Sequence, residues 1–413
     1  MSNLLQLGAM GILVALLALS VVWASKDADK YRKLVWVTLF LTFDLIMFGA
    51  FTRLTDSGLG CPDWPGCYGH SNPLLAQSHI SAAQAAMPTG PVTLIKAWIE
   101  MTHRYFAMGV GVLIIGLMAV AWMRWLKPVV TPPNGSAEAF NLASATKAGS
   151  VRVSLSTPKR NPKFSPWLPT LLFLAVCLQG AFGAWTVTMK LQPIIVTTHL
   201  LLGLTLLALL TWLAARQNEH APVAAAGRGL AGPALIAMLL LVIQIALGGW
   251  VSTNYAALAC NDFPLCHGMV LPDMDFEHGF TLWRHLGKTG DGEYLPFQAL
   301  TAIHWTHRMF AFVVIAFIAW LALRARQIDG LRKTGTWLLL IIGTQLLTGL
   351  ATIYFNWPLA IAVAHNGGAA LILLLLVMLN YKTRVPAEKH FVSVGEGSSA
   401  IADRSISRIT SNY

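Results

Sequence analysis

The sequence predicts an all-α membrane protein made of two pseudo-symmetric four-helix transmembrane bundles plus one extra N-terminal transmembrane helix. Three observations predict this fold class. The chain of 413 residues is 55% hydrophobic and only 11% charged, which is unlike a soluble globular protein. It contains nine apolar runs of about the 20 residues that a bilayer requires. Its two halves also repeat one another in sequence.

The apolar runs divide the chain into consecutive segments. We place the runs at about 4–24, 34–51, 103–123, 167–188, 194–215, 231–253, 303–323, 334–354 and 358–381. The predicted domains are a first helix with a basic linker (1–33), an N-terminal bundle (34–215), a cytoplasmic linker (216–230), a C-terminal bundle (231–381) and a cytoplasmic tail (382–413). An insertion rich in Pro, Ser and Ala at 127–165 interrupts the first bundle, and we expect it to be loosely structured, like the tail.

The distribution of positive charge predicts the orientation in a bacterial inner membrane. Of the 29 Lys and Arg residues, 22 fall in the segments 24–34, 124–165, 216–229, 324–335 and 381–413. Because positive charge is retained on the cytoplasmic side of short loops, we predict an external N-terminus and a cytoplasmic C-terminus. The first run lacks the positive n-region of a secretory signal, so we expect it to be retained. The net charge of +11 then reflects mainly the positive charge of the cytoplasmic segments of a membrane protein. The sequence has no compact basic patch that would indicate binding of nucleic acid.

The internal repeat is carried by three pairs of stretches in the same order in both halves: 61–67 with 260–266, 100–104 with 304–308, and 179–199 with 345–365. The first pair shares the pattern Cys-x-Asp-aromatic-Pro-x-Cys, and the second shares a His-Arg dipeptide. The third shares Gln, Gly, Thr and His at a constant shift. Both halves have the same predicted orientation, which indicates a parallel repeat about an axis near the membrane normal.

Four histidines lie in predicted spans, where an ionisable group costs several kcal/mol unless it finds a partner in a bundle interior: His103, His199, His307 and His365. Each half presents two of them, on its second and fourth helices, within about 10 Å of the external face. Two facing imidazoles in a four-helix bundle suit axial ligation of a haem iron. Nearby glycines such as Gly109 are expected to make room for the flat ring. The alternatives are hydrogen-bonded core histidines and, less favoured, zinc, whose structural sites require four closely spaced ligands.

Two further polar groups accompany these histidines. Arg104 and Arg308 directly follow a histidine, and we predict that they meet the carboxylates of a haem, the alternative being interfacial cations. Glu100 lies one helical turn before His103, whereas the second half has His304 at that position. An acid there is placed for proton transfer or for stabilising a positive charge, although helix N-termini also favour acids. The asymmetry predicts that one half performs chemistry and the other supports it.

Four of the five cysteines lie in the two long loops that we predict to be external, in an oxidising compartment where disulfides persist. Cys61 with Cys67, and Cys260 with Cys266, are each separated by five residues, enough for a small closed loop. Such a bond is either structural or redox-active. Cys177 lies in the middle of a predicted helix, and we expect it to be a small apolar core residue.

These motifs resemble those of the haem A synthase family, membrane enzymes that make the haem of cytochrome aa3-type oxidases. The resemblance covers about residues 34–381 and is most specific in FGAFTRLTDSGLGCPDWPGC, in Glu100-x-x-His103-Arg104, and in TTHLLLG, AIHWTHR and AHNGGAALILL. It implies a haem b cofactor held by the C-terminal half, at His307 and His365. It also implies haem O as the substrate of the N-terminal half, near His103 and His199. The implied reaction oxidises a ring methyl to a formyl group, and the acid at Glu100 takes part in it.

The resemblance also implies a haem O synthase and cytochrome oxidase assembly factors as partners, and it leaves a homo-oligomer open. Two other functions are compatible with parts of the sequence. A bis-histidine, cytochrome b-type electron carrier would use two haems, but it has no use for the difference between Glu100 and His304. A porphyrin transporter would be expected to have interrupted helices near the membrane midplane, whereas the four histidines cluster toward one face.

Overall fold

The computed structural model describes residues 2–127 and 165–384. Most of the predicted insertion and tail therefore lies outside the described residues. Within the described ranges the regular structure is helical, with eleven α-helices, two short 3-10 helices and three isolated β-bridges. The predicted all-α class is confirmed for this part of the chain.

Nine of these helices are long and apolar enough to cross a membrane, as predicted. They are α1 (Ser2–Ala24), α2 (Lys30–Leu54), α4 (Leu94–Leu126), α5 (Trp167–Thr188), α6 (Pro193–Gln217), α7 (Ala231–Thr253), α9 (Phe297–Arg326), α10 (Arg332–Tyr354) and α11 (Leu359–Arg384). Two short helices lie in the long loops, α3 (Gln77–Ala86) and α8 (Phe276–Gly279).

Two helices begin earlier than the apolar runs predicted. Helix α4 begins at Leu94, where the side chain of Thr93 accepts a hydrogen bond from the backbone N–H of Lys96. Helix α9 begins at Phe297. An apolar run marks the part of a helix that lies in hydrocarbon, whereas the capping residue sets where the helix starts. The starts predicted by the runs at 103–123 and 303–323 were therefore too late, and His103 and His307 lie well inside their helices.

The long helices pack in two rings that follow the same order. Helices α2, α4, α5 and α6 pack successively, and α6 returns to α2. Helices α7, α9, α10 and α11 do the same, and α11 returns to α7. Helix α1 packs mainly on α4, while α11 contacts both α2 and α6 across the boundary between the rings. These contacts support the proposed division into two four-helix bundles with one additional helix.

A continuous cluster of buried apolar side chains runs through both rings and includes Val35, Leu207, Ile318 and Leu376. Apolar side chains also cover the outer helix faces, as expected where lipid replaces water. Cys177 is exposed on α5, so the prediction that it is a core residue was wrong. A span that is apolar all round does not show in its sequence which face is buried.

The repeat extends to backbone conformations that most residues avoid. Corresponding positions of the two halves have positive φ: Asp56 and Tyr255, Tyr68 and His267, Lys190 and Asn356, and Leu191 and Trp357. Gly69 and Gly268 share φ values of 73° and 72°, which glycine adopts without steric cost. The chain therefore turns the same way at the same points of both halves.

Candidate functional site

Each of the four predicted histidines faces a glycine of a neighbouring helix. A Cβ atom added at the glycine would lie between 2.9 and 3.2 Å from the imidazole in every case. Such a distance is tighter than ordinary van der Waals contact, so a larger residue would displace the imidazole. The pairs are Gly49 with His103, Gly183 with His199, Gly248 with His307, and Gly349 with His365.

The imidazoles converge in pairs, one pair in each ring of helices. His103 lies within electrostatic reach of His199, and His307 lies within reach of His365. All four side chains are half-buried. Within residues 2–127 and 165–384, no group of three or more His, Cys, Asp or Glu is placed to hold a metal ion. Two imidazoles per half are the donor set that axial ligation of a haem requires.

Three of the four glycines follow a glutamine by one helical turn. The Nε2 atom of Gln244 lies 3.1 Å from Nδ1 of His307. The corresponding atoms of Gln345 and Gln179 lie 3.3 and 3.4 Å from Nε2 of His365 and His199. The Oε1 atoms of all three glutamines are buried and have no hydrogen-bond partner in the described part of the chain. The fourth equivalent position, beside His103, is occupied by Leu45.

A threonine distinguishes the two histidines that lie on α6 and α11. Thr348 Oγ1 lies 3.0 Å from Nδ1 of His365 and also lies 3.0 Å from the backbone oxygen of Thr344, to which it donates. Phe182 occupies the equivalent position in the first half. Nδ1 of His199 is buried and has no partner among the described residues.

Glu100 is only 4% exposed and is held by two donors. Its Oε2 accepts a hydrogen bond of 2.8 Å from the backbone N–H of Cys61, and its Oε1 lies 2.5 Å from Nη2 of Arg104. The other terminal nitrogen of Arg104 donates to the backbone oxygens of Asp63 and Gly66. Arg104 therefore joins the acid to the external loop.

The second half keeps this arrangement but replaces the acid. Nδ1 of His304 accepts a hydrogen bond of 3.1 Å from the backbone N–H of Cys260. Arg308 donates from Nη2 to the backbone oxygen of Leu265, while its Nε and Nη1 are buried without a partner in the described residues. Its guanidinium lies 5.3 Å from the ring centre of Phe263. Arg308 thus has donors available for another group, whereas Arg104 is occupied.

Both cysteine pairs form disulfides, Cys61–Cys67 and Cys260–Cys266. Within the first loop, the carboxylate of Asp63 accepts hydrogen bonds from two successive backbone N–H groups. Asp262 does the same in the second loop, and the hydrogen bond from Gly268 is the main reason why the pKa of Asp262 lies below its usual value. These aspartates therefore shape the loops.

The glycine nearest to His103 in sequence has a different role from the one predicted. A Cβ atom at Gly109 would lie 2.6 Å from Cγ1 of Val14, so this glycine lets α1 approach α4. Gly11 serves the same contact from the other side, against Met108. The prediction that Gly109 makes room for a ring was wrong. The glycines beside the imidazoles come instead from neighbouring helices.

Sequence reasoning missed Gln244 and Thr348 as partners of the histidines. A signal for the glutamine was present, because Gln-x-x-x-Gly occurs in QGAFG, QIALG and QLLTG, whereas the fourth copy reads LIMFG. Residues four apart share a helix face, so this pattern places an amide one turn from each glycine. Which histidine lies opposite depends on how the helices pack.

Comparison with known proteins bears on this pair of sites. The model of the family described as "Cytochrome oxidase assembly protein" matches residues 32–377. The chain belongs to this family. A haem A synthase of Shewanella oneidensis is 37% identical, over 84% of this chain and 96% of its own length. Those of Bradyrhizobium diazoefficiens and Erythrobacter litoralis are 27% and 28% identical, over 86% and 82% of this chain and over 92% and 93% of their own lengths.

The resemblance to haem A synthases is thereby confirmed. It covers both rings of helices in this protein. The matched range begins in the first turn of α2 and ends in α11. Helix α1 lies outside it, in agreement with its position on the outside of the first ring. The relatives' shared name favours haem A synthesis over the electron carrier and the transporter.

Proposed function

We propose that this protein is an enzyme of haem A biosynthesis that oxidises a ring methyl of haem O to a formyl group. Two successive hydroxylations of the methyl carbon, each a two-electron oxidation by an external oxidant, give a geminal diol, and loss of water from the diol gives the formyl group. Membership of the family supports this proposal. The observation that carries it is Glu100, a buried acid one turn from His103 that has no acidic counterpart beside His307.

The described residues fit two haems. Glycines bring a neighbouring helix close to each imidazole, and Nδ1 of His199 is buried without a partner in residues 2–127 and 165–384. His103 and His199 would hold the substrate haem, and His307 and His365 would hold haem b. When bound, haem supplies the redox-active iron that methyl oxidation requires.

The two arginines differ in their fit to a haem carboxylate. The unpartnered Nε and Nη1 of Arg308 suit a carboxylate, which arginine binds through paired N–H groups. Arg104 already holds Glu100 and two backbone oxygens, so its predicted contact with a carboxylate requires sharing these donors. We retain this contact as a prediction.

Glu100 is held by the backbone N–H of Cys61 and by Arg104, which fix its carboxylate beside the external loop. A carboxylate fixed where little water reaches interacts strongly with positive charge that develops nearby. Its Oε1 and Oε2 can also accept a proton from a group that loses one. We assign both abilities to the N-terminal half, as the reaction site.

The remaining parts of the proposal concern location and partners. Nine candidate spans support a multi-pass membrane protein, and the bacterial relatives support an inner membrane. The positive charge of the predicted cytoplasmic segments supports an external N-terminus, which places both disulfide loops outside. A haem O synthase is the expected supplier of the substrate, and cytochrome oxidase assembly is the expected use of the product.

Replacement of the acid by its amide tests the function. Glu100→Gln keeps an oxygen for the N–H of Cys61 but removes the charge, so we expect haem A output to fall by roughly 100-fold while haem b is retained. The measurement is pigment extraction from membranes of cells that also make haem O. The matched control is His304→Gln, which changes the equivalent acceptor of the second half and should preserve most haem A output. Normal haem A output from Glu100→Gln would contradict the proposed role of Glu100. If the unsubstituted protein left haem O unconverted, the proposed enzymatic function would be contradicted.

A further inference from the structure

The imidazoles of the two halves differ in what their Nδ1 atoms contact. In the second half, Nδ1 of His307 lies 3.1 Å from the amide of Gln244, and Nδ1 of His365 lies 3.0 Å from Thr348 Oγ1. In the first half both equivalent partners are hydrocarbon, Leu45 and Phe182. The difference is complete: two polar partners in one half and none at the same positions of the other.

The contact of Thr348 selects one form of the imidazole. Its hydroxyl proton is donated to a backbone oxygen, so the oxygen offers a lone pair to Nδ1 of His365. Nδ1 then carries the proton, and Nε2 is left with the lone pair that binds iron. The hydrogen bond also holds the plane of the ring.

Gln244 holds His307 at two points. Its Nε2 lies 3.1 Å from Nδ1 of the ring and donates to the backbone oxygen of His307, also at 3.1 Å. The amide therefore fixes the orientation of the ring from its Nδ1 side. Partners of this kind beside Nδ1 orient a ligating imidazole, and their loss typically weakens metal binding by roughly 10-fold to 100-fold.

The first half lacks this support at both histidines. The side chain of His103 has only a stacked contact with Phe48, at 6.3 Å between ring centres, and no hydrogen bond within the described ranges. Nδ1 of His199 is buried without a partner among the described residues, while its Nε2 has the same glutamine contact as Nε2 of His365, at 3.4 Å from Gln179. Within the described ranges, neither ring of the first half has a hydrogen-bond partner at Nδ1.

We propose that Gln244 and Thr348 are positioning residues that lock the second-half imidazoles for permanent axial ligation, and that Leu45 and Phe182 leave the first-half imidazoles unlocked. The haem bound by the first half therefore exchanges readily, and that of the second half is resident. This inference deepens the proposed function, on which it rests for the identity of the two haems. A substrate that must arrive and leave as product requires such a difference.

The test of the locked half measures release of haem b. The full-length protein is purified from cells that lack haem O, and transfer of its haem b to excess apomyoglobin is followed. We expect the double variant Gln244→Leu with Thr348→Val to release second-half haem roughly 10-fold to 100-fold faster. Its midpoint potential should also rise, because a less basic ligand stabilises the oxidised iron less. The matched control, Thr344→Val, removes an exposed hydroxyl one turn away and should change neither quantity. An unchanged release rate and potential in the double variant would overturn the proposal.

The test of the unlocked half introduces the missing partners. Leu45→Gln with Phe182→Thr should slow release of haem O from protein that has been loaded with it, by a similar factor, and should increase the low-spin signal of bis-histidine iron. Unchanged release and an unchanged spin state would overturn the proposal for this half. Release rates and spin state are measured without turnover, so they test the positioning proposal alone. Haem A output tests the proposed function separately. If the double variant binds no haem O, the single variants Leu45→Gln and Phe182→Thr are measured instead. Slower release of haem O supports the proposal for this half, and unchanged release overturns it.

Discussion

The two halves of the molecule use the same backbone hydrogen bond for different side chains. The N–H of Cys61 meets the carboxylate of Glu100, whereas the N–H of Cys260 meets the imidazole of His304. Both acceptors lie one turn before an iron-binding candidate, and both are nearly buried. The scaffold therefore accepts either a charged or a neutral acceptor at this point. The difference teaches that the same backbone position can carry a charged acceptor in one proposed site and an imidazole in the other.

The exchange of Glu100 for His304 also changes the hydrogen bonds of the neighbouring arginines, Arg104 and Arg308. In the first half the acid and loop oxygens occupy the terminal nitrogens of Arg104. In the second half the acceptor is the imidazole of His304, and two nitrogens of Arg308 are buried without a hydrogen-bond partner in the described part of the chain. Burying a cation without full pairing is costly, so we expect Arg308 to gain most from a bound carboxylate. Under the proposed function, this exchange of residue type is one of the differences between the reaction site and the haem b site.

The largest expected effect comes from removing a ligand in each half. His365→Ala should lower bound haem b at least 10-fold, because loss of a ligand exceeds loss of a group that supports one. His199→Ala should keep haem b but abolish haem A formation. Haem extraction and quantification from purified protein check both outcomes. An equal loss of haem b in the two variants would contradict the division of labour between the halves.

The next effect comes from giving the second half the acid of the first. His304→Glu should pair with Arg308 and compete with a haem carboxylate, so we expect haem b to be released roughly 10-fold faster. Haem transfer to apomyoglobin measures this rate. His304→Gln is the control, since it retains an acceptor for the N–H of Cys260 without adding charge. If both variants released haem b at the same rate, charge would not be the cause.

Removing either disulfide should have equal effects on stability but unequal effects on activity. The two closed loops have the same sequence separation of six, so loss of either is expected to cost about 2 kcal/mol. Cys61→Ser with Cys67→Ser should also lower haem A output, because this loop holds Glu100 and Arg104. Thermal unfolding and pigment extraction are the two measurements. A matching fall in haem A output after Cys260→Ser with Cys266→Ser would remove this distinction.

The last expected effect is on stability alone and concerns α1, the helix that packs outside the first ring. Gly109→Val should push α1 away from α4, because even a Cβ atom would meet Val14 at 2.6 Å, and we expect a cost of about 1–3 kcal/mol. Thermal unfolding in detergent measures the change. Gly111→Val is the control, since a Cβ atom there would have nothing within 4 Å. Equal destabilisation by both variants would mean that the contact with α1 is not responsible.

Much of the fold was predictable because its signals are local or repeated. Long apolar runs predicted the nine helices, and the repeated loop motif predicted two disulfides. Helix starts were less predictable: α4 begins nine residues before His103, because Thr93 caps it outside the apolar run. A cap satisfies orphan N–H groups wherever a suitable side chain occurs, whether or not the flanking turn is apolar.

The candidate site was predictable in its members but not in all of its contacts. The four histidines and Glu100 could be chosen because polar groups in apolar spans require an explanation. The partner of Arg104 could not be predicted with certainty, since Glu100 lies four residues away while the loop oxygens lie about 40 residues away in sequence. The length of the arginine side chain makes both reachable.

The sequence by itself determined the class of the protein, the repeat of its halves and the replacement of Glu100 by His304, because composition and spacing are properties of the chain. Only the tertiary structure decided that Gly248 and Gln244 face His307, that Gly109 serves α1, and that Arg308 keeps free donors. The physical reason is that these contacts join different helices. Their partners depend on how each helix is rotated and packed, which spacing within one helix does not specify.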